Sequence, residues 1–113
     1  MEVYMLPWQK FAVFSGRSGR GEYWTFTLVN LVISLVISAV AKQIGIVGIL
    51  GLLFSLATLV PGLAVGIRRL HDTGKSGWYL LLALIPLLGW LALFIFMVQP
   101  SSGNNEYGAP PAV

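Results

Sequence analysis

Residues 22–42 read EYWTFTLVNLVISLVISAVAK, and that stretch decides the fold. Glu22 and Lys42 enclose 19 residues without a charge, mostly Leu, Val and Ile with a few short polar side chains between them. About 20 mainly apolar residues form a helix that crosses a hydrocarbon core roughly 30 Å thick. Two more charge-free intervals follow along the chain: 25 residues between Lys42 and Arg68, and 30 between Lys75 and Glu106. Each is long enough for one crossing. Lipid offers no partner to a free backbone amide, so the crossings are helical. A closed barrel needs about eight strands or more, which a chain of this length does not supply alone.

The whole composition agrees. Of the 113 residues, 57% are hydrophobic and 10% charged, and the mean hydropathy is +0.82. A soluble domain carries about 25% charged residues, and disorder needs low hydrophobicity. With no cysteine, disulfides, thiol chemistry and cysteine–zinc sites are excluded. Ala39-Val40-Ala41 has the form of a signal-peptidase site, but the apolar stretch before it is too long for a signal, which points to a retained anchor.

The expectation is an all-α polytopic membrane protein with a single membrane domain over 1–99. Three transmembrane helices are expected at about 23–41, 46–67 and 78–98. A short interfacial amino-terminal helix within 3–14 starts near Pro7, and a flexible Pro, Gly, Ser and Asn tail covers 100–113. Pro61 and Pro86 are expected to kink the second and third helices. A tight hairpin at Pro86 and Gly89 is the alternative, disfavoured because each half would have only about half the length of a crossing.

Charge sets an orientation. Lys10, Arg17 and Arg20 precede the first helix, Lys42 alone follows it, and Arg68, Arg69 and Lys75 follow the second. The positive-inside bias then puts the amino end and second loop in the cytoplasm, and the first loop and carboxyl end outside. Tyr23, Trp24, Trp78 and Tyr79 sit at the expected interfaces.

Two stripes of small and polar residues predict how the first two helices pack. Thr27, Asn30, Ser34 and Ser38 share one helical face, and Gly51, Ser55, Thr58, Gly62 and Gly66 share another. Small residues let backbones approach and hydroxyls bond across, so the faces are expected to meet in an antiparallel hairpin. No ionisable residue lies inside a span, which argues against an ion path. Gly62 with Gly66 also offers a surface for oligomerisation.

Two segments carry the remaining chemistry: Phe14-Ser15-Gly16-Arg17-Ser18-Gly19-Arg20-Gly21-Glu22-Tyr23-Trp24, and Arg68-Arg69-Leu70-His71-Asp72-Thr73-Gly74-Lys75-Ser76-Gly77-Trp78. With Pro61, Leu63 and Ala64 ahead of the arginine pair and Asn105-Glu106-Tyr107-Gly108 in the tail, they resemble the bacterial YhaH/YhaI-like inner-membrane proteins, domain of unknown function 805. The resemblance covers nearly the whole chain. It implies a small polytopic protein of the bacterial inner membrane and carries no activity, substrate or catalytic residue.

On their own physics, the two segments predict an ion pair between Glu22 and Arg68 or Arg69, level with each other at the cytoplasmic end of antiparallel helices. Asp72-Thr73-Gly74 reads as a turn, and Ser76 as an N-cap. Arg17, Arg20, Arg68, Arg69, His71 and Lys75 form a candidate site for a phosphate-bearing anionic headgroup, with the glycine-rich turns supplying amides.

Other chemistries fit poorly. Gly74-Lys75-Ser76 ends like a nucleotide-binding loop, but Arg69 stands where that motif needs glycine. One histidine and no cysteine make a poor metal set. Ser76, His71 and Asp72 can be drawn as a catalytic triad only on paper, since geometry identifies a triad. No cofactor and no nucleic-acid partner is expected. The first reading is a non-enzymatic inner-membrane protein that binds anionic lipid or a membrane partner. The second is a subunit of an oligomeric channel or transporter.

Overall fold

The computed structural model describes residues 2–111, so residue 1 of the expected membrane domain and residues 112 and 113 of the expected tail lie outside the described residues. The described chain is helical, without a strand. α1 spans Glu2–Gln9, α2 Arg20–Gln43 and α3 Val47–Asp72; a 3-10 helix over Gly77–Leu84 follows, and α4 spans Leu88–Val98. An isolated bridge joins Asn105 to Gly108.

α2 and α3 are the two helices long and apolar enough to cross a membrane. Only 6% and 11% of their most apolar stretches are covered by the rest of the protein. A core helix of a soluble domain would be mostly buried. Here Leu35, Val36, Ile49, Leu50, Leu52, Leu53 and Leu56 face outward instead, as lipid contact requires. The pair is joined by a short turn at Ile44-Gly45-Ile46. Gly51 brings the helices close, since a Cβ there would lie 3.2 Å from Ile37. The two stripes face each other across the pair. Thr27 and Asn30 line one cleft with Thr58 and Gly62; Ser34 and Ser38 line another with Gly51 and Ser55. Gly66 does not join them: it is buried against Leu80 of the 3-10 helix, and so offers no contact surface to a second copy. α3 runs through Pro61 as one helix.

The third expected helix, 78–98, is corrected to a hairpin of two short arms. Eight residues of 3-10 helix rise about 16 Å, and the eleven residues of α4 also rise about 16 Å. Neither reaches across a core of roughly 30 Å, and the second returns beside the first. Pro86 has no amide hydrogen to continue a helix. Leu87 takes φ 65° and ψ −71°, and Leu88 donates to the Pro86 carbonyl at 2.8 Å, the rare positive-φ γ-turn. Gly89 lets the arms touch, because a Cβ there would collide with the Leu82 carbonyl. Trp90 Nε1 then ties α4 to Ala83 O at 2.8 Å. At the open end, Trp24 Nε1 donates to Met97 O at 2.9 Å, and Arg69 Nε to the same carbonyl at 3.1 Å. These bonds hold both ends of the segment at one end of the helix pair.

The amino-terminal helix begins earlier than expected: α1 starts at Glu2, with Pro7 inside it. It packs along α2, where Tyr4 stacks on Phe26 with centroids 5.7 Å apart and Trp8 meets the same ring edge-on at 5.8 Å. The Tyr4 hydroxyl donates to Asn30 Oδ1 at 2.7 Å. Asn30 lies ten residues along α2 from Arg20, about 15 Å of helix rise. An aromatic face, with one hydroxyl that finds a half-buried amide, ties α1 to α2.

Candidate functional site

The arginine-bearing end is the most densely bonded part of the molecule. Arg17, Glu22, Arg68, Arg69 and Asp72 are all buried. α3 delivers Arg68, Arg69 and Asp72 in its last turn, α2 delivers Glu22 in its first, and the loop between α1 and α2 folds over them. That loop turns at Gly16, φ 87°, and is pinned by Ser18 N donating to Arg68 O at 3.0 Å.

Arg68 pairs with Glu22 through Nη2 and Oε2 at 2.9 Å. Its remaining donors reach Ser18 Oγ at 2.9 Å, Val13 O at 2.6 Å and Lys10 O at 3.3 Å. Arg69, one position on, faces the other way. It pairs with Asp72 Oδ2 at 2.8 Å and donates to the carbonyls of Met97 and Gln99. Arg17 pairs with Asp72 Oδ1 at 2.9 Å and donates to Asp72 O at 2.9 Å. Its fork also reaches Ser102 O at 2.6 Å, Gly103 O at 2.9 Å and Gly108 O at 2.8 Å. A planar guanidinium with five donors suits such convergent acceptors, and an ammonium does not.

The tail is therefore corrected from a loose end to part of the site, over residues 100–111. It crosses the end of α3 and caps its carbonyls. Ser102 N donates to Asp72 O at 2.9 Å, Asn105 Nδ2 to His71 O at 3.1 Å, and Ser101 Oγ to Asp72 Oδ2. Tyr107 stacks on His71 at 3.9 Å with the rings nearly parallel. The Gly and Asn content that reads as disorder is turn chemistry that wraps a buried arginine. It follows that residues 100–111 lie at the same end of the helix pair as Arg17 and Arg20, not at the opposite end as expected.

The six expected anion-site residues separate. Arg17, Arg68 and Arg69 are buried, and each of their guanidinium nitrogens has an acceptor inside the protein. His71 Nδ1 lies 2.9 Å from Gly16 O; a carbonyl only accepts, so that nitrogen carries the hydrogen. Arg20 is exposed, its one bond a 3.4 Å contact to Val98 O. Lys75 is half-buried over the Phe96 ring and bonds Gln99 Oε1 at 3.0 Å. The triad drawn from Ser76, His71 and Asp72 does not assemble. Asp72 is taken by two arginines, His71 by Gly16, and Ser76 Oγ accepts from Trp78 N at 3.3 Å as the N-cap. Among the described residues, no group of three or more His, Asp or Glu is placed to hold a metal ion.

Sequence reasoning missed Asp72 as the centre of the network, and missed Ser18, Ser101, Ser102 and Asn105 as its partners. One signal was legible: two carboxylates beside five cations in a chain with so few charges.

Comparison with known proteins places this network in a family. The model described as "Protein of unknown function (DUF805)" matches residues 11–109, which include every residue of the network except Lys10. The chain belongs to the DUF805 family. It is 42% identical to "Inner membrane protein YhaI" of Escherichia coli (strain K12), over 98% of this chain and 96% of that one. It is 38% identical to "Inner membrane protein YhaH" of the same strain, over 98% and 97%. No solved structure matches. The named DUF805 relatives are inner membrane proteins and carry no enzyme name. The outward-facing apolar helices described above agree with a membrane protein.

Proposed function

We propose that the protein crosses the inner membrane twice, with its arginine-bearing end in the cytoplasm, and gathers anionic lipid there through Lys10, Arg20 and Lys75. One observation supports this reading best: the cations divide into three buried arginines, each ion-paired inside the protein, and a rim set that makes no ion pair among the described residues. Six of the seven Lys and Arg residues lie at the end where the amino-terminal loop, the second loop and the tail meet, and Lys42 lies alone at the other. That imbalance is the positive-inside pattern for a two-span chain. Each basic residue near an anionic surface contributes about 1 kcal/mol. Three rim cations therefore concentrate phosphatidylglycerol or cardiolipin without a shaped pocket.

The test is the lipid that copurifies in mild detergent, quantified by mass spectrometry. A triple variant, Lys10→Gln, Arg20→Gln and Lys75→Gln, should lose the enrichment of acidic lipid, with its thermal midpoint lowered no further than by Lys75→Gln alone, which gives up the bond to Gln99. Unchanged enrichment sinks the reading.

A further inference from the structure

From the unequal filling of its two halves, we infer that the protein is a wedge that senses and favours membrane curvature, with its arginine-bearing end on the convex side. Both half-depth elements flank the helix pair at that end. α1 reaches as far as Asn30. On the other side of the pair, Leu80 packs at Gly66, Phe94 meets Trp24 at 5.8 Å, and Trp90 and Thr27 line one cleft. In this half, five helical elements stand side by side.

Beyond Ser34 on α2 and Phe54 on α3, only the two long helices continue. They run further by about 14 Å on α2 and about 10 Å on α3, close to the depth of one leaflet. Their outward residues there, including Leu35, Val36, Ile49, Leu50 and Leu53, are exposed. The hairpin tip ends at mid-depth on Leu84, Leu87 and Leu88, which are 78%, 75% and 77% exposed.

Three amides of the tip are bonded within it. Ile85 donates to Leu82 O at 3.0 Å, Gly89 to Ile85 O at 3.0 Å and Leu88 to Pro86 O at 2.8 Å, and Pro86 has no donor. Acyl chains therefore fill the space beneath the hairpin and beneath α1. The molecule displaces more lipid from one leaflet than from the other. A bilayer already bent toward the wider end accommodates it with less strain.

The full chain is reconstituted into vesicles of one neutral lipid, prepared small by sonication and large by extrusion, in high salt. Screening removes the attraction of the rim cations, so the readout does not depend on their lipid preference. Protein per lipid is measured in each size class, and the trypsin fragment reports orientation, because the exposed Arg20 lies at the wide end and the exposed Lys42 at the narrow end. The expected result is a several-fold higher protein-to-lipid ratio in the small vesicles, with cleavage at Arg20 gaining over cleavage at Lys42 as diameter falls. Equal ratios and a constant orientation overturn the inference. So does cross-linking that shows a dimer paired through the narrow half around Ser38 and Gly51, because a second copy would fill the missing volume.

Discussion

Arg17 and Asp72, 55 positions apart, are joined by two side-chain bonds, Nε and Nη2 to Oδ1 at 3.0 and 2.9 Å, and a third from Nη2 to the Asp72 carbonyl at 2.9 Å. Both are buried. The pair closes the end of α3, where an acidic residue opposes the helix dipole unless cations compensate it. Arg17 and Arg69 supply that compensation from two directions. The same Arg17 fork then holds the tail by three carbonyls, so helix end, loop and tail depend on one carboxylate.

Replacing Asp72→Asn keeps the shape and removes the charge. Two buried guanidinium groups then lack a counter-ion, which costs roughly 3–5 kcal/mol. Thermal unfolding in detergent should show the loss, and limited proteolysis should cut the tail near Gly103 well before the wild type. Ser101→Ala removes only one hydroxyl from the same carboxylate and should cost about 1 kcal/mol. Equal effects from the two variants would show that Asp72 is not the hub.

Arg68 distinguishes geometry from charge. Its fork serves Glu22, Ser18, Val13 and Lys10 at once. Arg68→Lys retains the charge and one bond, leaves the carbonyls unmet, and should destabilise by about 2 kcal/mol or more. Arg20→Lys, at an exposed position, should change the midpoint very little. A simple charge reversal of Glu22 with Arg68 should restore little, because a carboxylate at position 68 would face the carbonyls of Lys10 and Val13.

The hairpin gives a prediction of opposite signs two residues apart. Leu87 holds a positive φ that costs a bulky residue about 1–3 kcal/mol. Leu87→Gly removes that strain, and the side chain it deletes is mostly exposed, so the variant should unfold at a higher temperature. Gly89→Ala drives a methyl group into the Leu82 carbonyl and should unfold lower, with a change in Trp90 fluorescence as the bond to Ala83 breaks. Two shifts of the same sign would contradict the turn.

Legibility followed the number of residues that each feature engages. The helices α2 and α3 were readable because long apolar runs have one solution in lipid. The packing stripe of Asn30, Ser34 and Ser38 was readable from helical spacing. The hairpin was not, because hydropathy measures the greasiness of 78–98 and not its path; only Pro86, Gly89 and the pull of Arg69 and Trp24 on Met97 turn it back. The tail was missed for a related reason. A segment rich in Gly and Asn buries little of itself, and its order comes from Arg17, more than 80 positions away. Of the candidate site, the residue types and their gathering at one end of the helix pair were legible, while the division of arginines into bound and free was set by contacts remote in sequence.

The position of the tail turns the hairpin into a topology experiment. Three crossings would leave the carboxyl end opposite Arg17; two crossings and a returning hairpin leave it beside Arg17. Fluorescent protein matures in the cytosol, and alkaline phosphatase becomes active outside it. With both ends on the positive-inside side, a carboxyl-terminal fluorescent fusion should glow and the phosphatase fusion should stay inactive. A phosphatase inserted after Gln43, at the end of α2, should be active. The control is Asp72→Asn, which frees the tail but leaves the hairpin in place, so its fusions should report the same side as the wild type. An active carboxyl-terminal phosphatase would mean that 78–98 crosses after all. Arg17 could not then hold the carbonyls of Gly103 and Gly108, since a span of lipid would lie between them.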